Sequence, residues 1–567
     1  MHKNLTAAAL GQIPADLVLK NCQIVDVFSG SIYRGNIAIA EGCIAGIGDY
    51  HEAKASIDLD GAYVAPGLIN SHCHVESSMT TPENYCTQEL RHGVTTLITD
   101  PHEIANVAGL PGIRYMLAAG RSMPINYYVQ LPSCVPATPF EHSGCILEAA
   151  DLEKLADTEG VLGLGEVMNV PGVLTQTPEL LAKLHIMQSR GRSIDGHSPG
   201  LTGRALQAYI GSGIETEHEA TSWQEAKEKL RSGMAILVRE GSASKNLEAI
   251  ITGALAEKID FSRMAFCTDD KHLADIQAAG TIRFCMQKAV TLGLAPITAV
   301  QMATYNAARI YGLKHLGAIV PGMQADITVF EDLKDFNVRL VLHKGRDTAK
   351  LLQTHSAIPC PTELLNTVQP APFSTEDFAF SKFLPGKKYP VINIIPGELL
   401  TDCSYIDGSK VEQAVKNHEL CLIAVIERHH RTGNIGLGLI AGYGLTSGAT
   451  ATTIAHDSHN IIIIGTSAAD IALAGQELIR CQGGYTLVRD GKVIRTLPLK
   501  LCGLMSDAAP ETLAAELASI KELAHKQGVV RNFDPFVGLS FMALPVIPKV
   551  KITDMGMFDT VNFKFIE

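Results

Sequence analysis

Paired Cys-x-x-Cys is missing from this chain, whose 13 cysteines fall at irregular spacings that form no even framework. A disulfide scaffold is not encoded, and reduced thiols in a cytoplasmic protein are the expectation. No apolar leader follows Met1-His-Lys-Asn4, so no secretory signal is expected. Long apolar stretches are lacking too: runs such as Asn460-Ile-Ile-Ile-Ile-Gly465 fall far short of the roughly 20 residues that span a bilayer, and no membrane is implied. Positive charge is in deficit, with 47 Lys and Arg against 59 Asp and Glu and a net charge of −12. That balance argues against the clustered basic face a nucleic-acid partner would need. There is no internal repeat and no low-complexity tract. The glycines of Asn434-Ile-Gly-Leu-Gly-Leu-Ile-Ala-Gly-Tyr-Gly444 do not form the GxGxxG that opens a helix, so a dinucleotide cofactor is not expected.

At 567 residues the chain is too long for one ordinary domain, and two or three are expected. In Val64-Ala-Pro-Gly-Leu-Ile-Asn-Ser-His-Cys-His-Val-Glu76 a short apolar run ends directly in His72-x-His74. Pro66-Gly67 marks where the preceding element stops. Histidines at i and i+2 on a strand share a face, so both imidazoles can meet one metal ion. Alone, the pair is better read as two surface histidines in a loop, since the pattern occurs by chance. Four further runs change the balance. Glu166 closes Val161-Leu-Gly-Leu-Gly165, His197 follows Arg192-Ser-Ile-Asp-Gly196, His218 follows Gly213-Ile-Glu-Thr-Glu217, and Asp269 follows Met264-Ala-Phe-Cys-Thr268. Metal-ligand residue types at the ends of several short strands, with helix-like stretches between, are how a parallel (β/α)8 barrel delivers chemistry to one face.

This ordered set resembles the amidohydrolase superfamily. The wording of NSHCHVESS, GVTTLITDPHEIANVAG, GLGEVMN, DGHSPGLTG, ETEHEAT and CTDDKH is similar to bacterial-type adenine deaminases within it. The resemblance runs along nearly the whole chain, including ERHHRTGNIGLGLIAGYGL and TIAHDSHNIIIIGTS near its end. It implies a distorted (β/α)8 metal-dependent hydrolase barrel with a discontinuous small β-sandwich and a C-terminal α+β domain. On this reading residues 1–65 and 314–357 form the sandwich, 66–313 the barrel, 358–372 a Pro-rich linker, and 373–567 the C-terminal domain.

The resemblance also implies the site. His72, His74 and Asp269 would hold one divalent metal, His197 and His218 a second, and Glu166 would bridge them where many relatives have a carboxylated lysine. Imidazole and carboxylate ligands allow Zn, Mn or Fe(II), and the family points to Fe(II) or Mn(II). A water activated between the ions would attack C6 of adenine, with Asp269 as the base that passes a proton to the departing amine. Hypoxanthine and ammonia would leave. The acidic chain suits a free base better than one within a polynucleotide, and the expected assembly is a homodimer. Alternatives are hydrolysis of a cyclic or N-acyl amide, or a metal-free scaffold.

His102 and Glu103 end the run Val94-Thr-Thr-Leu-Ile98 and so lie on the same barrel face. Both are candidate catalytic residues, Glu103 as proton donor to the ring or as an additional metal ligand. The plain alternative is that Asp100-Pro101 starts a helix with Glu103 in its first turn, where a carboxylate suits the macrodipole. Asp270 reads as a supporting or helix-capping residue, and Glu76, Glu217 and Glu219 as orienting a histidine. The cluster His456, Asp457, His459 and Asn460 is either a polar turn before a core strand or a cover over the barrel mouth, with Glu427-Arg-His-His430 beside it.

Overall fold

Alternating apolar residues near the N-terminus build five strands: β1 (Ala15–Asp26), β2 (Ser31–Ala40), β3 (Cys43–Gly48), β4 (Ala53–Asp58) and β5 (Tyr63–Pro66). The structure, a computed structural model, describes residues 3–242, 244–395 and 400–566. Asn21 looks like a strand break in the sequence. Instead it sits at φ 58° inside β1, where the register against β2 shifts between Leu19 and Cys22. The bulge bends the strand, so its first half pairs in parallel with β4 and its second half with β5.

The barrel follows, with parallel strands β6 (Leu68–His74), β7 (Val94–Thr99), β8 (Asn126–Leu131), β9 (Val161–Val167), β10 (Ser193–Gly196), β11 (Thr216–Glu217), β12 (Ala235–Arg239) and β13 (Met264–Cys267). β6, β7, β12 and β13 are buried at every position, which is why they lack the regular apolar–polar alternation of a half-exposed strand. β6 to β10 pair in sequence order and β11 to β13 form a second set. One residue after β13, the short β14 (Asp269–Asp270) pairs with the end of β6 and closes the circle. The seam between β10 and β11 is bridged by Glu215 N–H donating to the Ile194 carbonyl at 2.9 Å. The expected distorted (β/α)8 barrel is therefore present.

After the barrel, β15 (Ile327–Phe330), β16 (Val338–His343) and β17 (Arg346–Asp347) return to the first sheet. The order is β17-β16-β15-β5-β1-β2-β3, with β4 on β1. By hydrogen bonding this is one eight-stranded sheet branching at β1, in which strands from before and after the barrel join, as the sequence suggests. Leu19, Ile24, Ile37, Val64, Ile327 and Leu342 pack together along it.

Residues 358–372, read from sequence as a linker, are a packed strap. Leu364 is 1% exposed, its carbonyl accepts Cys502 N–H at 2.7 Å, and Ile358 N–H donates to Glu83 at 3.1 Å. The strap leads to β18 (Lys388–Ile394), β19 (Thr401–Asp407), β20 (Cys421–Ile426), β21 (Ile435–Ala441), β22 (Ala449–Thr452), β23 (Ile461–Gly465), β24 (Gly484–Arg489) and β25 (Lys492–Pro498). They form an eight-stranded sheet, ordered β19-β18-β21-β20-β23-β22-β24-β25. The helix Ala468–Cys481 packs on it, its Ile471, Ala474 and Leu478 in one cluster with Leu422, Leu439 and Ile463 of the sheet. Among the described residues, no helix is long and apolar enough to cross a membrane.

Candidate active site

His72 and His74 end β6 with side chains directed to one side, because successive strand residues alternate faces. His74 Nε2 lies 3.0 Å from Asp269 Oδ1 and 3.4 Å from Glu166 Oε1, while His72 Nε2 lies 3.6 Å from the same Asp269 oxygen. The other oxygen of Glu166, Oε2, is 2.7 Å from His197 Nδ1 and 3.2 Å from His218 Nε2. One carboxylate thus turns an oxygen to each of two histidine groups. Gly165 makes this approach possible, since a Cβ there would lie 2.1 Å from Asp100 Oδ2. That same oxygen accepts Glu166 N–H at 2.9 Å and fixes the backbone of the bridge.

The ring nitrogens of His72 and His218 are buried and have no hydrogen-bond partner. Leaving such groups unsatisfied costs about 1–3 kcal/mol each, and a divalent cation would satisfy them. His74 already has its tautomer set, because Nδ1 lies 2.8 Å from the Asp100 carbonyl and must donate to it, leaving Nε2 as a ligand atom. The donor set of imidazole and carboxylate, with no thiolate, suits borderline and hard divalent ions. Burial works against charge on Asp269 and Glu166, but Arg239 beside the first and His197 beside the second hold both carboxyls well below the usual range. Asp269 itself sits at φ 57°, a left-handed conformation that costs a non-glycine residue about 1–3 kcal/mol and is tolerated where a site demands it.

Comparison with known proteins agrees with this geometry. Residues 63–347 match the amidohydrolase family and residues 397–564 match the adenine deaminase C-terminal domain. The chain is 44% identical to the adenine deaminase of Clostridium acetobutylicum, with 98% of each chain covered. It is 42% identical to that of Halalkalibacterium halodurans over 99% of this chain and 97% of the relative. Against adenine deaminase 2 of Carboxydothermus hydrogenoformans the identity is 43%, over 100% of this chain and 99% of that one. The chain belongs to the adenine deaminase family.

Several residues of this family member escape a search for metal ligands. Arg239 is the last residue of β12, and its Nη1 donates to Asp269 Oδ2 at 2.6 Å while Nη2 reaches Glu219 Oε2 at 3.1 Å. A charge closing the apolar run Ala235-Ile-Leu-Val238 is the signal that could have found it. Asp195, on β10, accepts from Thr216 and Tyr311 at 2.9 and 3.0 Å and lies 3.9 Å from His72 Nδ1. Asp270 does not cap a helix. Its carboxylate accepts from Ser77 Oγ, and the next helix starts at Leu273 with His272 before it. Glu219 contacts His197 and His218 at 3.8 and 3.4 Å, whereas Glu217 accepts from Ser198 and faces Lys229 at 3.3 Å.

His102 lies with Nδ1 3.4 Å from Glu166 Oε1 and Nε2 3.5 Å from Glu103 Oε1. Sequence reasoning gives Glu103 a proton-donating or ligating role, and each of its oxygens faces a histidine of the C-terminal domain, a group of donors that could itself hold a cation. Oε1 is 2.7 Å from His456 Nδ1, and Oε2 accepts from His459 Nε2. The 456–460 turn is thus pinned onto the barrel mouth. Asn460 Nδ2 donates to the His142 carbonyl at 2.8 Å, His430 Nε2 to the Ser143 carbonyl at 2.8 Å, and Arg428, fully buried, donates to the carbonyls of His459 and Cys502. Asp457 is buried with Oδ2 unpartnered. The two histidines on Glu103 respond oppositely. Burial pulls His459 down to about 4 despite the carboxylate, whereas for His456 Glu103 overcomes burial and lifts the ring to about 9.

Between the turn and the barrel lies a small cavity of about 30 Å³. Glu76, Ser77 and Asp270 border it from the barrel, and His456, Tyr485 and Phe541 from the C-terminal domain. Asp270 also lies within 4.8 Å of the ligand atoms of His74 and Asp269, so the cavity abuts the histidine and carboxylate cluster.

Proposed function

We infer that this chain catalyses the hydrolytic deamination of adenine to hypoxanthine and ammonia at the barrel mouth. The observation that carries the reading is Glu166, whose two oxygens face His74 on one side and His197 and His218 on the other. Two divalent ions are assigned, one to His72, His74 and Asp269 and one to His197 and His218, with Glu166 between. Fe(II) and Mn(II) are the favoured ions and Zn is allowed by the donor set. When bound, such ions supply Lewis acidity that makes water a nucleophile near neutral pH.

The chain's own groups manage the protons. Asp269, kept ionised by Arg239, takes a proton at the carboxylate when water adds to C6 and returns it to the departing amine. His102, with Nδ1 3.4 Å from Glu166 Oε1, is assigned a supporting role in proton handling. The two hydrogens of water end on ammonia and on N1 of hypoxanthine. Closure by the 456–460 turn keeps bulk water from the cavity, and the closed wall favours a free base over a nucleoside. The proposed setting is a cytoplasmic homodimer. The free thiols support the first, and the exposed Leu400, Tyr405, Val561 and Phe563 support the second.

Metal-loaded protein is incubated with adenine, and ammonia and hypoxanthine are followed together, with adenosine, guanine and cyclic ureides in parallel. Adenine turnover with poor adenosine turnover is the expected result. No adenine turnover with both metals verified, or equal turnover of adenosine, overturns it. Sedimentation of the same preparation tests the dimer.

A further inference from the structure

We propose that His456 donates a hydrogen bond from Nε2 to a ring nitrogen of the bound purine, with Glu103 of the barrel as the residue that orients it. This rests on the adenine reading and assigns a substrate contact to the C-terminal domain.

The position of the ring leaves one atom for the task. Nδ1 is held 2.7 Å from Glu103 Oε1. One face of the imidazole is covered by Phe541, with ring centroids 4.8 Å apart at 23°. Nε2 has no hydrogen-bond partner among the described residues, and His456 borders the cavity. A histidine whose Nδ1 is held by a carboxylate and whose Nε2 is left unpartnered at the edge of a cavity is the arrangement by which an imidazole works on a substrate.

His459 occupies the opposite condition. Its Nδ1 accepts Ala455 N–H at 3.2 Å, so its proton is on Nε2 and goes to Glu103. Both atoms are committed, and His459 is left to hold Glu103 in place. The groups facing His456 are Glu103, Asp457 at 3.9 Å, Asp270 across the cavity, and the His459 ring at 5.6 Å. Three carboxylates against one neutral imidazole favour the protonated, donating form of His456, in line with its rise to about 9.

The chemistry gives the contact a use. Addition of water at C6 pushes electrons into the purine ring, and a donor already aimed at a ring nitrogen stabilises that charge without reorganisation.

The test pairs the enzyme change with substrate changes. Inhibition constants of 1-deaza-, 3-deaza- and 7-deazaadenine are measured on the wild-type enzyme, and His456→Gln is assayed with adenine and titrated with the same three analogues. The wild type is expected to lose about tenfold or more in affinity for one analogue. His456→Gln should lose about 10²-fold in kcat/KM for adenine, the usual cost of removing one such donor, with metal content and melting unchanged. Against the sensitive analogue the variant should lose no further affinity, because the nitrogen it would have bonded is already gone. Equal affinity of the wild type for adenine and all three analogues overturns the contact even if the variant does not fold. So does a loss in the variant that is the same for every ligand. Glu103→Gln, which keeps the ring and removes the charge that orients it, should show the same ligand pattern with a smaller loss. Failure of the wild type to deaminate adenine would instead refute the functional reading.

Discussion

Two buried clusters of histidine and carboxylate stand close together in this molecule, and they differ in where their hydrogens go. At the strand ends, His72 and His218 keep ring nitrogens with no partner, although both are buried. At the domain junction, Glu103 has a histidine nitrogen against each oxygen and His459 is bonded through both nitrogens. Residue types and burial are alike in the two. What distinguishes them is where the unpartnered atoms sit: on the imidazoles of His72 and His218 in the first, and on the Asp457 carboxylate beside the paired Glu103 and His459 in the second.

The comparison breaks most directly at Glu166. Glu166→Gln removes the charge two ions share, so metal should fall to one ion or fewer per chain and deamination should drop by more than about 10⁴-fold, beyond what acid–base catalysis alone contributes. Elemental analysis and ammonia release check it, and full occupancy with an ordinary rate would move the bridge elsewhere. Next in size is Asp269→Asn, expected to cost about 10²–10⁴-fold from lost proton transfer, with Asp270→Asn costing much less. The reverse order would transfer the role to Asp270.

Arg239→Lys comes third. Lysine cannot span Glu219 and Asp269 with the same planar fork, and a loss of about 10–100-fold is expected, as for other residues that orient ligands. An unchanged rate would show that Asp269 needs no such support. The smallest effect on rate sharpens the contrast from outside both clusters. Leu364→Ala, in the strap, should lower stability by about 2–5 kcal/mol while leaving turnover per folded molecule intact, measured by denaturant unfolding beside the assay. A fall in kcat at full folding would tie the strap to the site.

How far the sequence reveals these features follows from distance along the chain. The barrel ligands are legible because each closes an apolar run, and a parallel strand covered on both faces must be such a run. Arg239 occupies the same structural place but is hidden, since a cation is not sought among metal ligands. Asn21 conceals a continuous strand, because a polar residue at positive φ inside a bulge reads as a loop. The strap around Leu364 is obscured by its prolines, which signal a linker whether or not the segment packs. The partners of Glu103 lie more than three hundred residues away. Local pattern can show that His456 and His459 are unusual before a core strand, but it cannot say what they grip.

The order of these parts along the chain has a consequence during synthesis. Every proposed metal ligand has been made once Asp269 is added, nearly two hundred residues before His456. At about 5–20 residues per second that leaves roughly 10–40 s in which the barrel can fold with its mouth uncovered. On the proposed ligand set, the groups around Glu166 are then complete before the 456–460 turn that borders them exists.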